Sequence, residues 1–146
     1  MILSGNSMLA ILKFIKTKKG IEKSPILEAM PIDKITSENI VKYAENEKDE
    51  LCLATIEYFM IYLAKTLRNC CTTYLCYGGV YLCAGVVEGS MFWLKNPENK
   101  AKFLEAVFGN DMITWAIKRT PIRFIAAHDL GMRGCYQFGK QNGFFD

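Results

Sequence analysis

Histidine is nearly missing from this chain: His128 is the only one, and the six cysteines, Cys52, Cys70, Cys71, Cys76, Cys83 and Cys135, include no C-x-x-C pair. A zinc site therefore has no support. Proline is scarce too, with four in the chain, and no N-x-S/T glycosylation acceptor occurs. No uninterrupted apolar run approaches membrane length, since the longest helical pattern carries Glu57, Lys65 and Arg68. The apolar run from Met8 to Ile15 precedes its lysines, the wrong order for a secretion signal. Charge of one sign is also lacking: 18 basic against 15 acidic residues leave a net +3. The bunched Lys13, Lys16, Lys18, Lys19 and Lys23 come without a groove-reading motif, so they read as a solvated helix end rather than a nucleic-acid surface. These absences exclude a metal-stapled module, a membrane protein and a nucleic-acid binder. Reduced cysteines on apolar periodic positions fit a cytoplasmic compartment.

What is present is apolar material in helical order. At 51% hydrophobic residues over 146, one core is affordable, and a chain of this length buries roughly 70% of its unfolded surface. Leu9, Leu12 and Ile15 share a helical face, with Met8 and Ile11 beside them, and Ser4, Asn6 or Ser7 can cap that helix. It stops before Gly20. Residues 21–35 read as irregular, and Thr36 caps a short helix facing Ile40, Val41 and Ala44 inward. The strongest stripe runs through Cys52, Ile56, Phe59, Met60, Leu63, Leu67, Cys70, Cys71 and Tyr74, begun by Asp49 or Asn46 and ended by Gly78-Gly79.

The second half changes character. Val80-Tyr81-Leu82-Cys83 is a short apolar strand that stops at Ala84-Gly85. Helical patterns follow around residues 90–94 and 100–108, the second opened by Pro97 or Asn99 and closed by Gly109-Asn110. A further turn or two spans 112–118. A second strand covers 122–127, and a last helix centres on 132–138, with 139–146 as a loose tail. Strand, helices, strand makes a β-α-β crossover with parallel strands. Strands apolar nearly throughout belong in a sheet covered on both faces. Two parallel strands are too little sheet to stand alone, so the chain reads as part of a larger α/β domain.

Gly78-Gly79-Val80-Tyr81-Leu82-Cys83-Ala84-Gly85-Val86 resembles the G-G-V-Y-x-x-G-G-I segment of bacterial-type, ATP-dependent glucokinases. Leu3-Ser4-Gly5 is similar to the start of that family's L-S-G-P-G-L segment. Phe103 to Phe108 is similar to its F-x-x-A-F run, Thr120-Pro121-Ile122 to His128 to its I-P-V-Y-x-x-x-H strand, and Gly131 to Gly134 to its G-L-L-G. The pieces fall in family order over nearly the whole chain. The resemblance implies an actin-like ATPase fold of two α/β domains, transfer of the γ-phosphoryl group of ATP to glucose with Mg2+, a cytosolic location, and a homodimer formed through the larger domain. The chain then corresponds to the C-terminal part of that larger domain, residues 1–146 forming one unit.

By resemblance, Gly79, Ala84, Gly85 and Val86 lie beside the adenosine of ATP, where small residues let backbone approach a flat base. Ala84 stands where the family has glycine, which costs on the order of 1 kcal/mol if that position needs a positive φ and nothing otherwise. Ser4 and Gly5 are implied as neighbours of the sugar, just after the place of the family's sugar-holding glutamate. Asn6 and Ser7 replace its proline and glycine. His128 pairs with Asp129 or caps the next helix. The segment after it is one residue shorter than the family's and lacks its proline. The D-x-G-G-T loop, the G-x-G-T-G loop and the E-x-x-H pair do not occur in this sequence, and Asp33, Asp49, Asp111 and Asp129 lack the neighbours of the family's catalytic N-D aspartate. No catalytic or metal residue is assigned, and the chain alone is expected to be inactive. An alternative reading is a non-catalytic fragment that dimerises with, or regulates, a full-length kinase. The related transcriptional repressors are disfavoured by the missing cysteine-rich zinc motif and helix-turn-helix.

Overall fold

A computed structural model of the chain describes residues 4–109, 112–127 and 129–144. The described residues form eight α-helices, two 3-10 turns and two strands. In order these are α1 (Gly5–Lys19), α2 (Pro25–Ala29), a 3-10 turn (Ile32–Lys34), α3 (Ser37–Asn46), α4 (Glu50–Tyr74), β1 (Val80–Leu82), α5 (Gly85–Ser90), a 3-10 turn (Met91–Lys95), α6 (Pro97–Phe108), α7 (Thr114–Ile117), β2 (Ile122–Phe124) and α8 (Leu130–Gln141). The expected strand character of Ile2-Leu3 and the role of His128 lie outside the described residues.

The helix starts follow from side-chain oxygens that take up unpaired first-turn N–H groups. Ser4 accepts from Ser7 N, and the Ser7 hydroxyl accepts from Ser4 N, a reciprocal capping box at α1. Thr36 and Asn39 make the same device at α3. Asn96 caps α6 with Pro97 at its first position. Asp49 begins α4 and is itself buried, 2% exposed. Its carboxylate accepts from Leu51 N at 2.9 Å, Cys52 N at 3.1 Å and, from the α2 segment, Ile26 N at 2.9 Å. The segment read as irregular thus contains α2, held by that carboxylate.

The 25-residue α4 is the centre of the molecule, with α1, α3 and α6 packed around it. Its buried stripe of Leu51, Cys52, Ile56, Phe59, Met60, Leu63 and Leu67 meets Met8, Leu12 and Ile15 of α1, Ile40 and Ala44 of α3, and Phe103 and Val107 of α6 in one core. Burial of each large side chain contributes about 1.5–3 kcal/mol. The stripe fades at the end: Cys71 is buried, but Tyr74 is exposed. The helix also stops earlier than the glycine pair. Leu75 takes the left-handed conformation, φ 48°, and its N–H donates to Cys71 O at 3.0 Å. A leucine there gives no glycine-like signal, which is why Gly78-Gly79 misled.

The strands pair in parallel as expected, Val80 with Ile122, Tyr81 with Arg123, Leu82 with Phe124. Val80, Leu82, Ile122 and Phe124 pack against the core. Tyr81 and Arg123 point the other way and are exposed. The expectation of a sheet covered on both faces is therefore corrected: among the described residues one face is covered and the other is not. Arg123 stands over the Tyr81 ring, 5.9 Å from its centroid, with Nη1 donating to Tyr81 Oη at 3.1 Å. The last helix is longer than the pattern suggested, reaching Gln141.

Two glycines carry demands that no side chain meets. Gly109, φ 57° and ψ −168°, ends α6, and a Cβ there would lie 2.5 Å from Arg68 Nη1. That guanidinium donates to Val107 O at 3.2 Å and to Phe108 O, capping the α6 carboxyl end. Gly79, φ 114°, would put a Cβ 3.0 Å from Pro121 O, the acceptor of Val80 N at the start of the sheet. Gly109→Ala and Gly79→Ala are each expected to lower unfolding free energy by about 1–3 kcal/mol, from strained backbone and the displaced neighbour together. Urea denaturation of the two variants checks this; a loss below about 0.5 kcal/mol in either contradicts the packing described.

Candidate functional site

The carboxyl end of β1 opens into a pocket. Its floor comes from α4, its rim from the strand end and α5, and one corner from the cap of α1. The lining comprises Ser4, Phe59, Leu63, Tyr81 to Leu82, and Cys83 to Val87, around a volume of about 370 Å³. The placement follows from local rules. Period two in β1 sends Leu82 inward and Tyr81 outward. Ala84 then caps α5, whose Val87 is buried against the core.

The structure thus brings Ser4, Ala84, Gly85 and Val86 to one pocket, although 80 residues separate the first two. Gly5 follows Ser4 as the first residue of α1. Gly79 is not brought there. It precedes β1, at the opposite end of the strand from the pocket, and its contact is with Pro121. Its positive φ gives it a structural reason to be glycine.

Ala84 resolves a question left by the sequence. Its φ of −165° is extended backbone, open to any residue, so the alanine carries no strain here. A Cβ built on Gly85 meets nothing within 4 Å, so the missing side chain leaves open space at the pocket rim. A second depression of about 540 Å³ shares Gly85 and Val86 and is walled by Glu38, Val41, Lys42 and Glu45 of α3. The two helices approach closely because of Gly89, where a Cβ would lie 3.3 Å from Val41 Cγ1.

The chemistry of the first pocket is plain. Its walls are mostly apolar, its polar groups are the Ser4, Tyr81 and Cys83 side chains and backbone, and no ionisable carboxylate or cation lines it. Ser4 is already engaged in the α1 cap. Such a surface suits a flat, uncharged group and has no cationic side chain for a phosphate. The sequence reading missed Tyr81, Cys83, Phe59 and Leu63 as lining residues; the alternation in β1 could have flagged Tyr81, but nothing local announces the two α4 residues. Among the described residues, no three His, Cys, Asp or Glu side chains come together where a metal ion could sit. No carboxylate lines the β1-end pocket, so that lining does not fit a Mg2+ ion. The perturbed thiols lie elsewhere: burial, then the neighbouring Asp49, pushes Cys52 up, and burial pushes Cys71 up.

Comparison with known proteins agrees with this architecture. The glucokinase of Helicobacter pylori strain ATCC 700392 / 26695 is 26% identical over 124 residues, which is 82% of this chain and 36% of that protein. The glucokinase of strain P12 matches to the same extent. This chain therefore spans about a third of the length of the curated relatives it matches. The crystal structure of a glucokinase from an Antarctic psychrotroph superimposes with a TM-score of 0.67, covering 86% of this chain and 35% of that one at 16% identity, which establishes a shared fold. The family model described as Glucokinase matches residues 1–142, and with that match spanning nearly every element described above, the chain belongs to the glucokinase family.

Proposed function

We propose that this chain contributes to an ATP-dependent glucokinase of the actin-like ATPase fold, whose overall reaction moves the γ-phosphoryl group of ATP to the 6-hydroxyl of glucose. Its own share is a wall of the adenosine subsite at Ala84, Gly85 and Val86, with Ser4 and Gly5 near the sugar. The observation that carries the reading is the family match over residues 1–142. The pocket at the β1 end supports it, being mostly apolar and beyond the carboxyl end of a parallel strand. A cytosolic location and a homodimer through the larger domain accompany the reading. Among the described residues, no helix is long and apolar enough to cross a membrane.

Phosphoryl transfer needs a base at the acceptor hydroxyl, donors around the phosphates and a metal to neutralise charge. Among the described residues, those lining the pocket include no carboxylate or cation for these tasks, and no step is assigned to them. What they do is bind and exclude water. Phe59, Leu63 and Val87 form an apolar floor, and Gly85 leaves room at the rim. Catalytic power from positioning and electrostatics lies with groups outside this set.

Two outcomes follow. In a coupled assay the purified chain shows no glucose-dependent ATP turnover; turnover at ordinary kinase rates, about 1–100 per second, contradicts the proposal. Photolabelling with an azido-adenine nucleotide, competed by ATP, marks the peptide from Tyr81 to Val87. Gly85→Leu lowers that labelling by about tenfold, equivalent to about 1.4 kcal/mol, without loss of stability, because the new side chain enters open space. Ala84→Gly leaves it unchanged. Competable label placed only elsewhere removes the adenosine assignment.

A further inference from the structure

The end of α4 gathers three thiols. Cys70 and Cys71 sit on its last turns, and the left-handed Leu75 reverses the chain so that Cys76 returns to the helix end. Cys76 Sγ lies 3.7 Å from the Cys70 carbonyl oxygen. The Cys76 carbonyl then accepts from Gly79 N at 2.9 Å, inside the turn that feeds β1. All three cysteines are in the thiol form.

Access separates them. Cys70 and Cys76 are half-buried, whereas Cys71 is 2% exposed. Burial, and then the nearby Cys76 and Cys70, push the Cys71 thiol up, despite the opposing hydrogen bond from Thr120. A protonated, sequestered thiol is a poor nucleophile. A bridge also requires two Cα atoms within about 7 Å.

We propose that Cys70 and Cys76 are a redox pair that closes to an intrachain disulfide and clamps the end of α4 to the turn entering β1. The oxidant is a low-molecular-weight disulfide of the glutathione class. The Cys76 thiolate attacks one sulfur of that disulfide, forming a mixed disulfide and releasing one glutathione thiolate, which takes up a proton. The Cys70 thiolate then attacks the Cys76 sulfur and the second glutathione leaves. Two protein thiols are oxidised and one disulfide is reduced to two thiols, so atoms and electrons balance. The clamp spans the Leu75 reversal and limits pivoting about Gly78-Gly79, and so fixes β1 relative to α4.

The test uses the full chain with the exposed Cys83 and Cys135 replaced by serine. After incubation with glutathione disulfide, intact mass falls by two hydrogens, and chymotryptic cleavage after Tyr74 leaves the Cys70 and Cys76 peptides joined. Cys71→Ser keeps that bridge. Cys70→Ser abolishes it and leaves glutathione on Cys76, because the resolving thiol is gone. Amide exchange at Tyr77 and Gly79 slows on oxidation and recovers with reductant. A bridge from Cys76 to Cys71, dimers linked between chains, a stable glutathione adduct in place of the bridge, or thiols that stay free would each overturn the pairing.

Discussion

The carboxylate of Asp49 is the interaction on which the rest of this structure leans. It sits inside the core and accepts three backbone N–H groups from two separate segments. A buried charge left unpaired costs several kcal/mol, so the three bonds belong together: any geometry that keeps one and loses the others leaves the group unsatisfied. That demand fixes the residue at which α4 starts and ties α2 to it. Once the start is fixed, the rotation of a 25-residue helix is fixed with it, and so is the direction its apolar stripe faces.

Everything that builds the pocket hangs from α4 in turn. Phe59 and Leu63 form the pocket floor, and they also belong to the core that receives α1, α6 and the inner face of the sheet. Ser4 reaches the pocket because α1 lies along α4 through Met8, Leu12 and Ile15. Arg68, one turn before Cys71, holds the other end of the arrangement by capping α6. A rotation of α4 by one residue, about 100°, would turn the floor away from the strand end and break the cap together. Packing and site geometry are therefore one constraint rather than two.

Much of this was legible in residue order. Thr36 and Asp49 declare their helices, and period-four spacing from Cys52 to Leu67 declares the buried face of α4. The two strands and their parallel relation followed from the strand–helix–strand order. Three things were not legible. Leu75 ends α4 in a conformation that leucine seldom takes, so the residue type gives no signal of the helix end. The α2 helix is only five residues long and depends on Asp49, 23 residues beyond Ile26. The meeting of Ser4 with Ala84 is a product of how α1 packs, which no local window contains. For these two the family resemblance, not the spacing, supplied the site.

The character of the pocket bears on how the proposed reaction is divided. Recognition of an adenosine and recognition of a triphosphate need opposite surfaces: one apolar and close, the other rich in donors and cations. The strand end here is of the first kind alone, with Gly85 open at its rim and no charged side chain in its lining. The sheet that carries it has a second, uncovered face, where Arg123 lies over Tyr81. Its two strands also leave backbone donors and acceptors on their outer edges. Unpaired edge groups are a cost that further strands remove. The curated relatives are more than twice as long, and the solved glucokinase shares this fold over about a third of its length.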